Sequence, residues 1–181
     1  MLKQIATIAA VVAGGIMLSK KFGKSKGTGL TSTIEESIEV NVPVSTAYNQ
    51  WTQFEDFPKF MKGVHEVRQI DDTHLHWRAD VAGKEQQWDS EITEQIPDDR
   101  IAWRSTSGRK NAGVVTFHKT SDTSARVMLQ MDYKPQNVVE EVGAAFGAVK
   151  VQAKEDLKGF KEFVESRGTA TGAWRGSVPQ H

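Results

Sequence analysis

From Val64 to Tyr133 apolar and polar residues alternate with a period of two, and after Pro135 the period lengthens to that of a helix. An earlier alternation over Glu36–Val44, with Ile38, Val40 and Val42 on one side, predicts an opening strand that stops at Pro43. Ser45 and Thr46 then read as caps of a short helix over Ala47–Gln53. Phe54–Met61 gathers Phe54, Phe57, Phe60 and Met61 around Pro58 and reads as a second short helix. Six strands follow: His65–Ile70, Thr73–Val81, Glu85–Ile96, Arg100–Ser105, Gly113–Lys119 and Ala125–Tyr133, the first two joined by a tight turn at Asp71-Asp72. Each has one apolar face and one polar face, the signature of antiparallel strands solvated on one side. The final stripe runs from Val138 and Val139 through Val142, Phe146, Val149, Ala153, Leu157, Phe160 and Val164 and ends at Gly168. At about 29 residues it makes a helix of roughly 43 Å, long enough to cross a whole sheet.

Strand alternation also sorts the side chains. Leu75, Trp77, Ala79 and Val81 share a face, as do Gln86, Trp88, Ser90, Ile92, Glu94 and Ile96 on the next strand. Ile101, Trp103 and Ser105 point inward, then Val115 and Phe117, then Ala125, Val127, Leu129, Met131 and Tyr133. Asp80, Asp89, Glu91, Asp132, His74, His76, Arg78, Arg104 and His118 fall on the solvent face. The inward set is thus largely apolar, with Ser90, Ser105, Glu94 and Tyr133 among its few polar members, and it lacks the convergent titratable groups an acid/base enzyme needs. A β-bulge would re-aim any one of these side chains. His74-x-His76, with Asp72 nearby, has the spacing of a surface chelate, but exposed strand positions are polar without any metal.

The order strand, two short helices, six antiparallel strands and a long C-terminal helix resembles the helix-grip fold of the START-like (SRPBCC) superfamily. SIEVNVPVSTAYNQWTQFEDFPKFMKGV at 37–64 is similar to the opening strand and paired helices of that superfamily, whose members include polyketide cyclase/dehydrase-type and coenzyme Q-binding START-like proteins, GVVTFHK at 113–119 to its penultimate strand, and MDYKP at 131–135 and EDLKGFKEFVE at 155–165 to the closing helix of a bacterial cyclase/dehydrase-like branch. The resemblance covers 34–168 and implies an α+β fold: a curved antiparallel sheet of about seven strands wrapped around the C-terminal helix, with two short helices after the first strand. It also implies a cavity between helix and sheet. Its walls would come from Trp51, Phe54, Phe57, Phe60 and Met61 of the short helices and from Trp77, Trp88, Ser90 and Ile92 of the middle strands. Trp103, Ser105, Val115, Phe117, Leu129, Met131 and Tyr133 would continue them, and Val142, Phe146 and Val149 would close them from the helix. The small residues Gly143, Ala144, Ala145, Gly147 and Ala148 would leave room there, or else permit close packing with no cavity.

Charge divides the chain in two. Its 181 residues carry 23 basic and 23 acidic side chains, yet the first 34 hold five lysines (Lys3, Lys20, Lys21, Lys24, Lys26) and no acid, so 18 basic and 23 acidic residues leave the rest at −5. An acidic body without a basic stripe excludes a nucleic-acid partner. The absence of cysteine excludes disulfides, thiolate metal sites and cysteine nucleophiles. Residues 1–18 read as an apolar helix, sixteen uncharged residues between Lys3 and Lys20. Their span of roughly 24 Å falls short of a ~30 Å bilayer core unless the flanking lysines snorkel. The excess of lysines on the C-terminal side predicts a retained anchor with the domain at the cytoplasmic face; a cleaved signal, leaving a secreted or periplasmic domain, is the alternative. Ala6, Ala10 and Gly14 form a small-residue face that would let two such helices meet in a homodimer. Residues 19–33 read as a flexible Lys/Gly/Ser linker and 169–181 as a disordered tail with Trp174 on it.

The expected function is non-enzymatic binding or transport of an apolar small molecule (a lipid, isoprenoid or quinone-like compound) beside a membrane, with no catalytic residue, cofactor or metal. Two alternatives stand beside it: a cyclase/dehydrase-type enzyme on a polyketide-like aromatic substrate, and an interaction adaptor with a vestigial cavity.

Overall fold

The computed structural model describes residues 32–133 and 142–180. The predicted anchor of 1–18, with its homodimer face, and most of the 19–33 linker lie outside them. Seven strands form one antiparallel sheet: β1 (Ser32–Val40), β2 (Val64–Gln69), β3 (His74–Val81), β4 (Lys84–Ile96), β5 (Arg100–Gly108), β6 (Asn111–Lys119) and β7 (Ala125–Tyr133). Their order is β1-β7-β6-β5-β4-β3-β2, so each strand after β2 pairs with the one before it and β1 joins at the far edge beside β7. β1 starts at Ser32 and takes the last two residues of the predicted linker, because its register with β7 runs unbroken from Ser32–Tyr133 to Val40–Ala125. The β3–β4 hairpin turns at Ala82 and Gly83, both with positive φ, as a tight two-residue turn requires.

Helix α1 (Val44–Trp51) and a 3-10 helix (Phe54–Lys59) follow β1. Ser45 and Thr46 do not cap α1 but lie within it. The Pro43 carbonyl accepts from the amides of Thr46 and Ala47, so the chain turns into the helix at the proline itself. Helix α2 (Val142–Arg167) crosses the concave face of the sheet. Ala153, Leu157, Phe160 and Val164 on its inner stripe are buried. Trp51 stands edge-on to Phe160 with centroids 4.9 Å apart, and Phe60 stands 5.6 Å from Phe160. Lys161 Nζ donates to the Glu39 carbonyl at 2.8 Å and the Asn41 amide donates to Glu165 at 2.7 Å, which ties the last turns of α2 to β1. Gly168, at φ 68°, ends the helix with its amide donating to the Val164 carbonyl.

Two further expectations are corrected. The 169–181 segment is held rather than loose over its described part. Thr171 exchanges hydrogen bonds with Gln50, the Trp174 amide donates to Thr52 Oγ1, Arg175 forks onto Asp98 at 2.7 and 2.8 Å, and Val178 pairs with Gln95 in an isolated bridge. The bridge exists because β3 pairs with β4 only as far as Glu91, so the edge of β4 beyond it is free to accept another strand. The second correction concerns Glu94. A bulge between Ile92 and Glu94 sets Glu94 opposite Ala102 and Gln95 opposite Ile101, so Gln95 turns to the inner face and Glu94 to the outer one. There Glu94 lies 3.5 Å from Arg100.

Candidate ligand-binding cavity

Between the sheet, the short helices and the middle of α2 lies a cavity of about 190 Å³. α1 contributes Trp51, and the segment after it contributes Phe54, Phe57 and Met61. The sheet contributes Val64, Leu75, Trp77, Ala79, Trp88, Ile92, Ile101, Trp103, Leu129 and Met131, with Ile34 from the edge strand. Val149, Gln152, Ala153 and Asp156 close it from α2, and Asp80, Val81, Arg109, Lys110, Asn111 and Asp132 edge it where strands end. The aromatic walls are mutually ordered. Trp77 and Trp88 sit opposite each other in the β3–β4 register and stack with planes 4° apart and centroids 5.8 Å apart. Trp77 Nε1 donates to Ser90 Oγ at 2.9 Å, and Trp103 Nε1 donates to Asn111 Oδ1 at 3.2 Å, so each indole has its polar edge satisfied and its face free to pack.

Of the residues read as cavity wall, Trp51, Phe54, Phe57, Met61, Trp77, Trp88, Ile92, Trp103, Leu129, Met131 and Val149 do line it. Phe60, Val115 and Phe117 are buried in the core instead, and Phe146 packs against that core. Ser90 and Ser105 stand behind the wall: Ser90 holds the Trp77 indole, and Ser105 Oγ accepts from the Asn111 amide at 3.0 Å. The side chains of Tyr133 and Val142 lie outside the described residues. Gly143, Ala144, Gly147 and Ala148 face solvent rather than the sheet, and only Ala145 among the small residues packs toward the core. The room in the grip therefore opens farther along α2, where Gln152, Ala153 and Asp156 stand.

Asp156 is the group that strand alternation did not reach. It follows Val149, Gln152 and Ala153 at helical spacing on the same face, a signal in the sequence that tracing apolar positions alone passes over. It makes no hydrogen bond and no ion pair among the described residues. Burial pushes its carboxyl up to about 7, with the neighbouring Glu155 charge adding to the rise. Carboxylates away from the cavity behave oppositely: hydrogen bonds from Thr73 and His74 hold Asp71 down at about 2.

The two histidines of the His74-x-His76 pair do not converge on one point. His74 Nδ1 meets Asp71 at 2.9 Å, and His76 Nδ1 meets Asp89 at 2.7 Å. Among the described residues, His65, Asp80 and Glu85 bring ligand-type atoms within 4.8 Å of one another. His65 Nε2 already lies 3.1 Å from Asp80 Oδ2, and Glu85 faces Arg78 at 3.7 Å.

A curled antiparallel sheet gripping a C-terminal helix around an apolar cavity defines the START-like helix-grip class of ligand-binding folds. Residues 40–162 match the family described as polyketide cyclase/dehydrase and lipid transport, and the chain belongs to that family. It is 57% identical over 148 residues to an uncharacterized 17.2 kDa protein of Streptomyces lincolnensis, covering 81% of this chain and 99% of that one. Among solved structures it is similar to the Zhui aromatase/cyclase of Streptomyces sp. R1128, with TM-score 0.66 and 15% identity over 80% of this chain and all of that one. It is also similar to a START superfamily protein of Mycobacterium smegmatis, with TM-score 0.58 and 16% identity over 75% of this chain and 95% of that one. Among the described residues no helix is long and apolar enough to cross a membrane.

Proposed function

We propose that the protein binds an apolar small molecule in this cavity and holds it beside a membrane, as a carrier or reservoir and not as a catalyst. The observation that carries the reading is the wall itself: four tryptophans, two phenylalanines and aliphatic side chains surround a space with few polar groups. An apolar cavity of ~150 Å³ is enough for a single aromatic ring, so about 190 Å³ suits one or two rings or a short chain without rearrangement. The tether is supported by the five lysines flanking the apolar 1–18 segment and by the register of the sheet. β1 begins at Ser32 opposite Tyr133, and Tyr133 is opposite Asn111, so the chain enters the sheet level with one wall of the cavity.

Native mass spectrometry of the full chain tests the binding reading. The expected result is an apolar adduct that organic extraction removes and that Ala153→Phe, built to fill the space, does not carry while its thermal transition is retained. A wild-type protein that stays empty in the presence of extracted membrane lipids would sink it. Flotation with anionic vesicles tests the tether, which predicts that replacing Lys20, Lys21, Lys24 and Lys26 by serine weakens co-flotation.

A second reading, a cyclase/dehydrase-type enzyme, is favoured by one observation: a cavity carboxyl at about 7 is poised to exchange protons near neutral pH. The likeness to the Zhui aromatase/cyclase agrees with it at the level of fold. This reading predicts turnover of an aromatic polyketide precursor that Asp156→Asn abolishes while binding persists; absence of turnover by the wild-type protein would end it.

A further inference from the structure

We propose that His65, Asp80 and Glu85 form a binding site for a divalent transition-metal ion of the zinc class, at the end of the sheet where β2, β3 and β4 come together. Each strand supplies one ligand, and the three ligand atoms lie within 4.8 Å of one another. Two features of the sheet gather them. The register of β2 on β3 shifts between Val64, opposite Ala79, and Glu66, opposite Arg78, which leaves His65 as the extra residue of a bulge. A bulge re-aims a side chain, and here His65 Nε2 comes to 3.1 Å from Asp80 Oδ2. Asp80 and Glu85 are direct partners in the β3–β4 register, two carboxylates set opposite each other across a hairpin. Like charges in that position repel, and a cation held between them turns the repulsion into attraction.

The spacing suits a small ion. Nitrogen and oxygen ligands about 2.0–2.2 Å from a tetrahedral zinc stand roughly 3.3–3.6 Å apart, close to the separation of His65 and Asp80. Glu85 completes the set by turning toward them, and its side chain is half exposed. The competing cation is Arg78, at 3.6 Å from Glu66 and 3.7 Å from Glu85, both longer than a hydrogen bond. A metal can therefore take Glu85 and leave Arg78 to Glu66. One imidazole with two carboxylates favours zinc or cobalt over calcium, which takes about six to eight oxygen ligands. Three protein ligands leave a fourth position to water. Asp80 also edges the cavity, so the ion would staple β2 to the β3–β4 hairpin at the rim of the cavity. His74 and His76 face separate carboxylates and offer no such convergence.

Calorimetric titration of the untagged full chain with zinc chloride, after removal of bound metal by EDTA, tests the site. The expected result is that zinc binds and raises the thermal midpoint. His65→Ala and Glu85→Gln should each bind at least about tenfold more weakly, since losing even an outer partner of a metal ligand costs about 10–100-fold. His76→Ala should bind as the wild type does. Both site residues are partly exposed, so their variants should keep the wild-type midpoint in EDTA, which separates loss of the metal from loss of the fold. Absence of zinc binding by the wild type, affinity retained in both site variants, affinity lost in His76→Ala, or an equal midpoint shift with calcium would each overturn the proposal.

Discussion

The Gln95 side-chain amide donates to the Tyr48 hydroxyl at 3.1 Å, with both side chains withdrawn from solvent. This bond joins the bulged part of β4 to α1, and burial keeps the Tyr48 hydroxyl protonated by raising its pKa. Tyr48→Phe strands the Gln95 donor in the core and should cost about 1–2 kcal/mol in urea unfolding. A change below ~0.5 kcal/mol would mean that water replaces the hydroxyl, since a satisfied Gln95 leaves nothing to lose.

The C-terminal segment is a second stabilising element on the same helix. Arg175 forks onto Asp98 and lies 5.4 Å from the centroid of the Tyr48 ring. Because the pair is largely exposed, Arg175→Ala should cost only about 0.5–1 kcal/mol, less at high salt. Removing 169–181 also deletes the Thr171–Gln50, Trp174–Thr52 and Val178–Gln95 bonds and should cost about 2–4 kcal/mol. Equal effects of the point change and the deletion would show that the strand-like pairing at Val178 contributes nothing.

Gly159 marks a close approach of α2 to Phe60, the residue that follows the 3-10 helix. A Cβ there would lie 2.1 Å from the Phe60 carbonyl oxygen, a backbone atom that cannot rotate aside. Gly159→Ala should therefore destabilise by about 2 kcal/mol or more, despite alanine's better helix propensity. Thermal unfolding decides it, and a stabilised variant would contradict the packing.

Asp156 gives stability a pH slope of defined sign. Its folded carboxyl is at about 7, above the ordinary 3.8, so the native state binds the proton more tightly than the unfolded chain. The favourable contribution is whole below pH ~4 and is lost as pH rises to about 7, an effect of up to roughly 4 kcal/mol. Asp156→Asn should flatten that slope, most visibly as a gain in urea midpoint at pH 8. Parallel wild-type and variant curves between pH 5 and 8 would refute it.

Strand order, the short helices and most of the aromatic wall were legible because period two and period 3.6 are imposed by burial, and burial is what this fold needs on one face of every strand. Where the reading failed, the cause was local. Glu94 and Gln95 exchanged faces because a single extra residue at Thr93 breaks the alternation, and nothing in the side chains announces a bulge. Asp156 was passed over because it is polar on an apolar stripe, the place where a site departs from the pattern of its scaffold. The tail looked loose because its partners, Gln50, Thr52 and Asp98, are more than seventy positions away in sequence and contribute scattered hydrogen bonds without periodicity. Gly143 and Ala144 were expected to face the sheet because small residues suit a cavity, but the same residues suit a solvent face that needs no packing.

The contact of Gly159 with Phe60 also makes α2 a lever with a fulcrum. On one side Phe160 and Val164 are fully buried and Lys161 and Glu165 are bonded to β1 and the residue after it. On the other, Gly143 and Gly147 have open space where a side chain would be, and Val151 is 63% exposed. Amides of 143–151 should exchange with solvent deuterium faster than those of 157–165, and a bound ligand should narrow the gap. A guest too large for the resting volume would be admitted by displacing this less buried arm while the arm beyond Gly159 holds the grip closed.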